Sequence, residues 1–182
     1  MGLLGSGVLL WSLAHLLKRV TPGLRSRLGS AGRPLVALSI VLSVVLMVLG
    51  YQPAEGPIWW GRQSALVGIN NLLAFVSFYI IAGSLVGARI NRFIRHPQLT
   101  AVKLWAVAHL LVNGDLASLM LFGGLLIWAV LTVILLNRQE ESPAPEQGPI
   151  AWARELGALS AAIVIYGLVG YAHGWLGYPV HG

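Results

Sequence analysis

RHPQLTAVKLWAVAHLLVNGDLASLMLFGG, residues 95–124, sets a histidine, His109, inside an otherwise apolar helical run and follows it with a polar turn, Asn113-Gly114-Asp115. Pro97 suits the first turn of a helix, where a missing N–H costs nothing, so a helix is predicted over about 98–113. Asp115 can cap the free N–H groups of the next helix, and its charge suits that helix's positive end. Gly114 is expected to supply the positive φ of a tight reversal. The turn therefore has a full structural explanation, with ligand contact by Asn113 and Asp115 as the competing role. The core of this stretch recurs at the N-terminus. Residues 11–17 read WSLAHLL and residues 105–111 read WAVAHLL, five identities in seven. Both copies put Trp and His four residues apart, on one helical face.

The surroundings of that stretch are apolar throughout. Of 182 residues 57% are hydrophobic, against twelve basic and six acidic side chains, too few charges to cover a soluble domain of this size. The expected class is an all-α integral membrane bundle, a single domain over residues 1–182. The net charge of +6 raises nucleic acid as a partner, but the basic residues fall in short loops between apolar spans, which argues against it. With no cysteine in the chain, disulfides, thiolate-held iron, Cys-bound iron–sulfur clusters and covalent c-type haem are excluded. Metal chemistry must use His, carboxylate or backbone ligands.

Six apolar spans are predicted, at about 3–20, 34–51, 64–87, 98–113, 116–136 and 153–176. A helix needs roughly 20 residues to cross the hydrocarbon. The fourth is short, so it must tilt or thin the bilayer. No positive region precedes the first apolar run, and Lys18 and Arg19 follow it, so it reads as a retained span rather than a cleaved signal. Eleven of the twelve basic residues fall on one side, Arg62 alone on the other. The basic side should be cytoplasmic, which leaves both termini periplasmic. Tyr51, Trp59, Trp60, Trp175 and Tyr178 read as an aromatic belt on the far side. The loop NRQEESPAPEQGP, 137–149, is polar and Pro-rich and is expected to be mobile. Gly83-x-x-x-Gly87 and Gly170-x-x-x-Gly174 read as helix-packing faces.

Ionisable and amide side chains inside spans are costly, and function is the default reading for them. Asn70 and Asn71 in the third span either hydrogen-bond between helices or line a polar pocket. His15 and His109 admit three roles: interhelical hydrogen bonding, a bare metal ion, or axial ligation of a b-type haem. Trp11 and Trp105, one turn from each histidine, can wall a haem slot or simply pack between helices. The two copies run antiparallel. By rise alone, His15 stands ~8 Å and His109 ~17 Å from the cytoplasmic ends of their helices, an offset of ~9 Å. His173 is the substitute partner for His109. Arg95-His96 at a helix start can bind a lipid phosphate or the anionic group of a soluble cofactor; an ordinary interfacial histidine is the other reading. His181 lies in the tail and carries no signal.

RHP at 95–97, LWAVAHLLVNGDLAS at 104–118 and LFGG at 121–124 closely resemble the NnrU family of bacterial membrane proteins, and His15 and HGWLGYP at 173–179 fit the same pattern. The resemblance implies a link to denitrification and nitric oxide metabolism, an inner-membrane location and denitrification proteins as partners besides membrane lipids. The family is similar to plant zeta-carotene isomerase, a membrane protein with a histidine-held b-type haem, which implies haem b between His15 and His109. It also implies, as an alternative, a haem-dependent cis-trans isomerase of a carotenoid-like polyene. The plant enzyme has a cysteine three residues before the second histidine, where this chain has Ala106. RHP at a helix start resembles isoprenylcysteine carboxyl methyltransferases, which implies a methyltransferase acting on a lipid as a further alternative. That family usually has an aromatic where Leu99 stands, and its paired acidic motif has no clear counterpart, since Glu140 and Glu141 lie in the polar loop.

Overall fold

The computed structural model describes residues 1–139 and 151–180; the polar loop from residue 140, with Glu140 and Glu141, and His181 lie outside the described residues. Among the described residues the regular elements are helices apart from one short strand pair. Helix α1 is Gly2–Val20, the short α2 is Pro22–Arg27 and α3 is Gly32–Tyr51. Helix α4 is Ser64–Val86, α5 is Pro97–Val112, α6 is Leu116–Gln139 and α7 is Trp152–Trp175. Five of these are long and apolar enough to cross a membrane. The expected fourth span, α5, has 16 residues, or ~24 Å of helix, and falls short of that length. It begins at Pro97 as the sequence predicts.

Packing inverts the soluble pattern. Many large apolar side chains such as Leu9, Leu38, Ile127 and Leu168 point outward, while the interior combines Ala, Ser and Gly with a few large residues such as Leu4, Met47 and Trp128. Small residues let helices approach where lipid supplies no hydrophobic drive between them. Helix α1 lies against α3, where a Cβ on Gly50 would strike the backbone of Leu4 and one on Gly7 would come 2.8 Å from Met47. Helix α4 packs on α5 and α7, and Ser77 Oγ donates to the Ala101 carbonyl at 2.9 Å across the first of these contacts.

Of the two expected Gly-x-x-x-Gly faces, the first meets a helix, since a Cβ on Gly87 would lie 3.2 Å from Arg154 of α7. Gly87 ends α4 with φ +70°, and Gly83 makes room for the turn that follows, at Ala88 and Ile90. Gly174 faces open space and Gly170 faces Val180 of the tail. Their spacing marks a helix end and a tail contact.

The ends of the bundle differ. At the basic end, Gln139 Nε2 donates to the Arg19 carbonyl, and Glu155 accepts from the Arg89 N–H and the Tyr79 hydroxyl. At the other end, which we call the aromatic end, strand β1, Ile58–Trp60, pairs antiparallel with β2, Gly114–Asp115. The sequence gives no strand signal at either place, and the aromatic belt residues Trp59 and Trp60 belong to β1.

Candidate functional site

Gly114 has no positive φ. The glycine is required because the Trp60 indole lies on it, and any Cβ there would overlap the ring. Trp60 Nε1 reaches on to donate to the Leu110 carbonyl at 2.9 Å, one of the unpaired acceptors at the end of α5. Asp115 caps α6 as expected: Oδ1 accepts from the Ser118 N–H at 2.8 Å and Oδ2 from the Ser118 hydroxyl at 2.6 Å. The Tyr51 hydroxyl adds a 2.8 Å bond to Ser118 Oγ. Asn113 closes α5, its N–H and its Nδ2 both donating to the His109 carbonyl, at 3.0 and 2.9 Å. The polar turn thus fixes the end of α5 one turn beyond His109.

Against that fixed end lies a cavity of about 500 Å³, within the size range of small-molecule and cofactor sites. His109 and Trp105 come from α5 and Asn113 from its C-cap, Phe122 and Leu125 from α6, and Met47 and Tyr51 from α3. His173 and the tail residues Tyr178, Pro179 and Val180 complete it, with Asn70 and Arg62. A smaller cavity of about 60 Å³ shares Asn70, Trp105, His109, His173 and Val180 with it. Asn70, its amide turned to satisfy its neighbours, donates to the Ala108 carbonyl at 2.9 Å. Asn71 Nδ2 donates to the Val180 carbonyl at 3.1 Å. Asn70 therefore joins α4 to α5 and Asn71 joins α4 to the tail, and both line cavity wall.

The three histidines in spans share one local device. Nδ1 bonds the carbonyl four residues back: His15 to Trp11, His109 to Trp105 and His173 to Val169, at 2.9, 2.9 and 2.8 Å. A carbonyl only accepts, so each Nδ1 carries the proton and a neutral ring presents Nε2 as its lone-pair nitrogen. Among the described residues none of these Nε2 atoms has a hydrogen-bond partner.

The fold sets His15 and His109 apart. Both pack on α6, but His15 lies 4.9 Å from Trp128 and His109 lies 4.5 Å from Phe122, ring centre to ring centre. Six residues separate those two contacts, about 9 Å of helix. The histidine beside His109 is His173, with ring centres 6.5 Å apart and planes at 50°. At the cavity the ring next to His109 is that of His173, the substitute partner named from the sequence, and His15 is not among the cavity's lining residues. Trp105 stays with His109, at 4.9 Å, and meets Phe122 at 5.1 Å. Trp11 stays with His15, at 4.2 Å. Trp11, His15 and Trp128 form a second aromatic cluster whose two indole N–H groups are buried without a partner among the described residues.

Arg95 and His96 stand at the opposite end of α5, thirteen residues and about 20 Å of rise from His109. His96 Nε2 meets Asn137 Oδ1 at 3.0 Å, which ties the start of α5 to the end of α6.

The central histidine motif, His173 at the end of α7 and the tail that follows it line one cavity. The NnrU protein family matches residues 3–180, nearly the whole chain. The chain belongs to the NnrU family. No curated protein and no solved structure matches it. In this NnrU chain, sequence reasoning missed Phe122 and Trp128, the aromatic partners of the two histidines. The available signal was an aromatic residue in each half of an otherwise aliphatic span, LFGG and LIWAV. It also missed that Arg62 lines the cavity, although Arg62 stands out as the one basic residue away from its fellows.

Proposed function

We propose that this NnrU-family chain is an inner-membrane protein that would hold one b-type haem at its aromatic end through His109 and His173, and that it serves nitrogen-oxide metabolism. One observation carries the reading: two imidazoles 6.5 Å apart at a cavity, each with Nδ1 committed to a backbone carbonyl. An imidazole nitrogen binds a first-row metal at about 2 Å. The ring centre lies about 1 Å further back, so two rings sharing one metal sit about 6 Å apart, near the separation seen. Metal-binding histidines ordinarily donate their other N–H to a carbonyl or carboxylate, as both do here. Among the described residues no three His, Cys, Asp or Glu cluster as a protein-only metal site requires. A porphyrin brings its own four nitrogens, so two histidines and an apolar slot suffice.

Bound there, haem would supply an iron suited to electron transfer or to binding a diatomic gas. The chain's own part is positional. The Trp105 and Val169 carbonyls fix the ring orientations, Phe122 and Trp105 flank His109, and Met47 and Leu125 keep that wall apolar.

The remaining features follow from charge and family. The basic end faces the cytoplasm, α5 makes the sixth crossing in tilted or thinned bilayer, and both termini are periplasmic. The link to denitrification, and any partners there, rest on the family resemblance. A second reading, isomerisation of a polyene, is favoured by the aliphatic wall of Val44, Met47 and Val48 on the α3 side. Pigment and lipid profiles with and without the gene decide it, and identical profiles count against it. The primary test is the absorption spectrum of protein purified in detergent. We expect a Soret band and about one acid-extractable b-type haem per chain; protein that stays colourless and takes up no added haemin overturns the reading.

A further inference from the structure

Arg62 is the one basic residue that the chain places away from its basic end, and it lines the large cavity. Its Nη1 donates to the Pro179 carbonyl at 2.8 Å, which holds the guanidinium against the tail at the cavity's edge. That bond uses one of five N–H donors. Among the described residues no carboxylate pairs with it. A guanidinium so held presents a fork matched to a carboxylate. Met47 and Leu125 line the same cavity and offer an apolar surface to the rest of a ligand. We propose that Arg62 receives a carboxylate of the cavity's ligand, so that the site selects an amphipathic acid over a neutral molecule of the same shape. The assignment rests on the cavity being a ligand site; it deepens the haem reading, since haem b carries two propionates, but does not require it.

The test compares acids with their esters in the full-length protein in detergent. One pair is haemin and its dimethyl ester, read by the Soret band. The other is the polyene fatty acid cis-parinaric acid and its methyl ester, read by fluorescence. We expect the acid of at least one pair to bind about tenfold more tightly than its ester. Arg62→Gln should bring that ratio near one, and Arg62→Lys should keep a several-fold preference. A purely structural role for Arg62 would weaken acid and ester alike and leave the ratio unchanged. Equal binding of acid and ester to the unaltered protein, or a preference that survives Arg62→Gln, overturns the assignment. An Arg62-dependent preference for parinaric acid, with no haemin bound, supports it while refuting the haem reading. Failure of all four probes to bind overturns both.

Discussion

Trp60 and Gly114 show how one contact serves two helices. The indole covers the glycine backbone and donates to the last turn of α5, so a methyl group at residue 114 must push the ring off both. Gly114→Ala should cost about 1–3 kcal/mol, the range for overpacking a tight site. Thermal unfolding in detergent measures it, and an unchanged midpoint contradicts the contact. Asp115→Ala removes the α6 cap and should cost about 1 kcal/mol, with Asp115→Asn retaining most of it; equal losses in the two variants contradict the cap. The Asp115 cap was legible because it is local, an Asp three residues before the N–H it serves. The use of Gly114 was not. Its neighbour lies 54 residues away in sequence, and a glycine between Asn and Asp reads as a positive-φ turn whether or not it is one.

The six apolar runs were legible nearly to the residue, since hydropathy and breakers such as Pro97 act within a few residues of where they stand. The strand pair was not, because Ile58–Trp60 is too short to show a period and pairs with only two residues. Nor was the π-helical turn at Leu119–Gly123, inside α6. Such a turn places one extra residue in the helix, which sets the angle between Phe122 at His109 and Trp128 at His15. A Cβ on Gly123 would meet nothing, and deleting this residue should let the helix close to α geometry with Phe122 and Trp128 keeping their present angle, whereas the same deletion in a regular helix would turn the rest of α6 by roughly 100°. We expect unchanged helical circular dichroism and a tryptophan emission equal to the parent's. A red-shifted emission, as Trp128 leaves its site, contradicts this role for the π turn.

Across the whole molecule, every basic residue but Arg62 falls toward one end, and the cavity lies at the other. Reporter fusions at both termini should therefore report the periplasm, and fusions in the loop after α3 likewise. Termini on opposite sides contradict six crossings, and a cytoplasmic signal from both contradicts the orientation. The repeated WxxAHLL pointed to two histidines of one kind without saying which meet. Partner choice depends on how α7 returns across the bundle, and the tail bonds of Asn71 and Arg62 that hold it there join residues more than 100 apart in sequence. The central claim, that His109 and His173 share one haem, is tested most directly by titrating haemin into His15→Ala, His109→Ala and His173→Ala and recording each spectrum. The account predicts a six-coordinate, low-spin spectrum for the parent and for His15→Ala. His109→Ala and His173→Ala should each lose it, with affinity at least tenfold lower. A low-spin spectrum that survives His173→Ala and vanishes in His15→Ala would contradict the account.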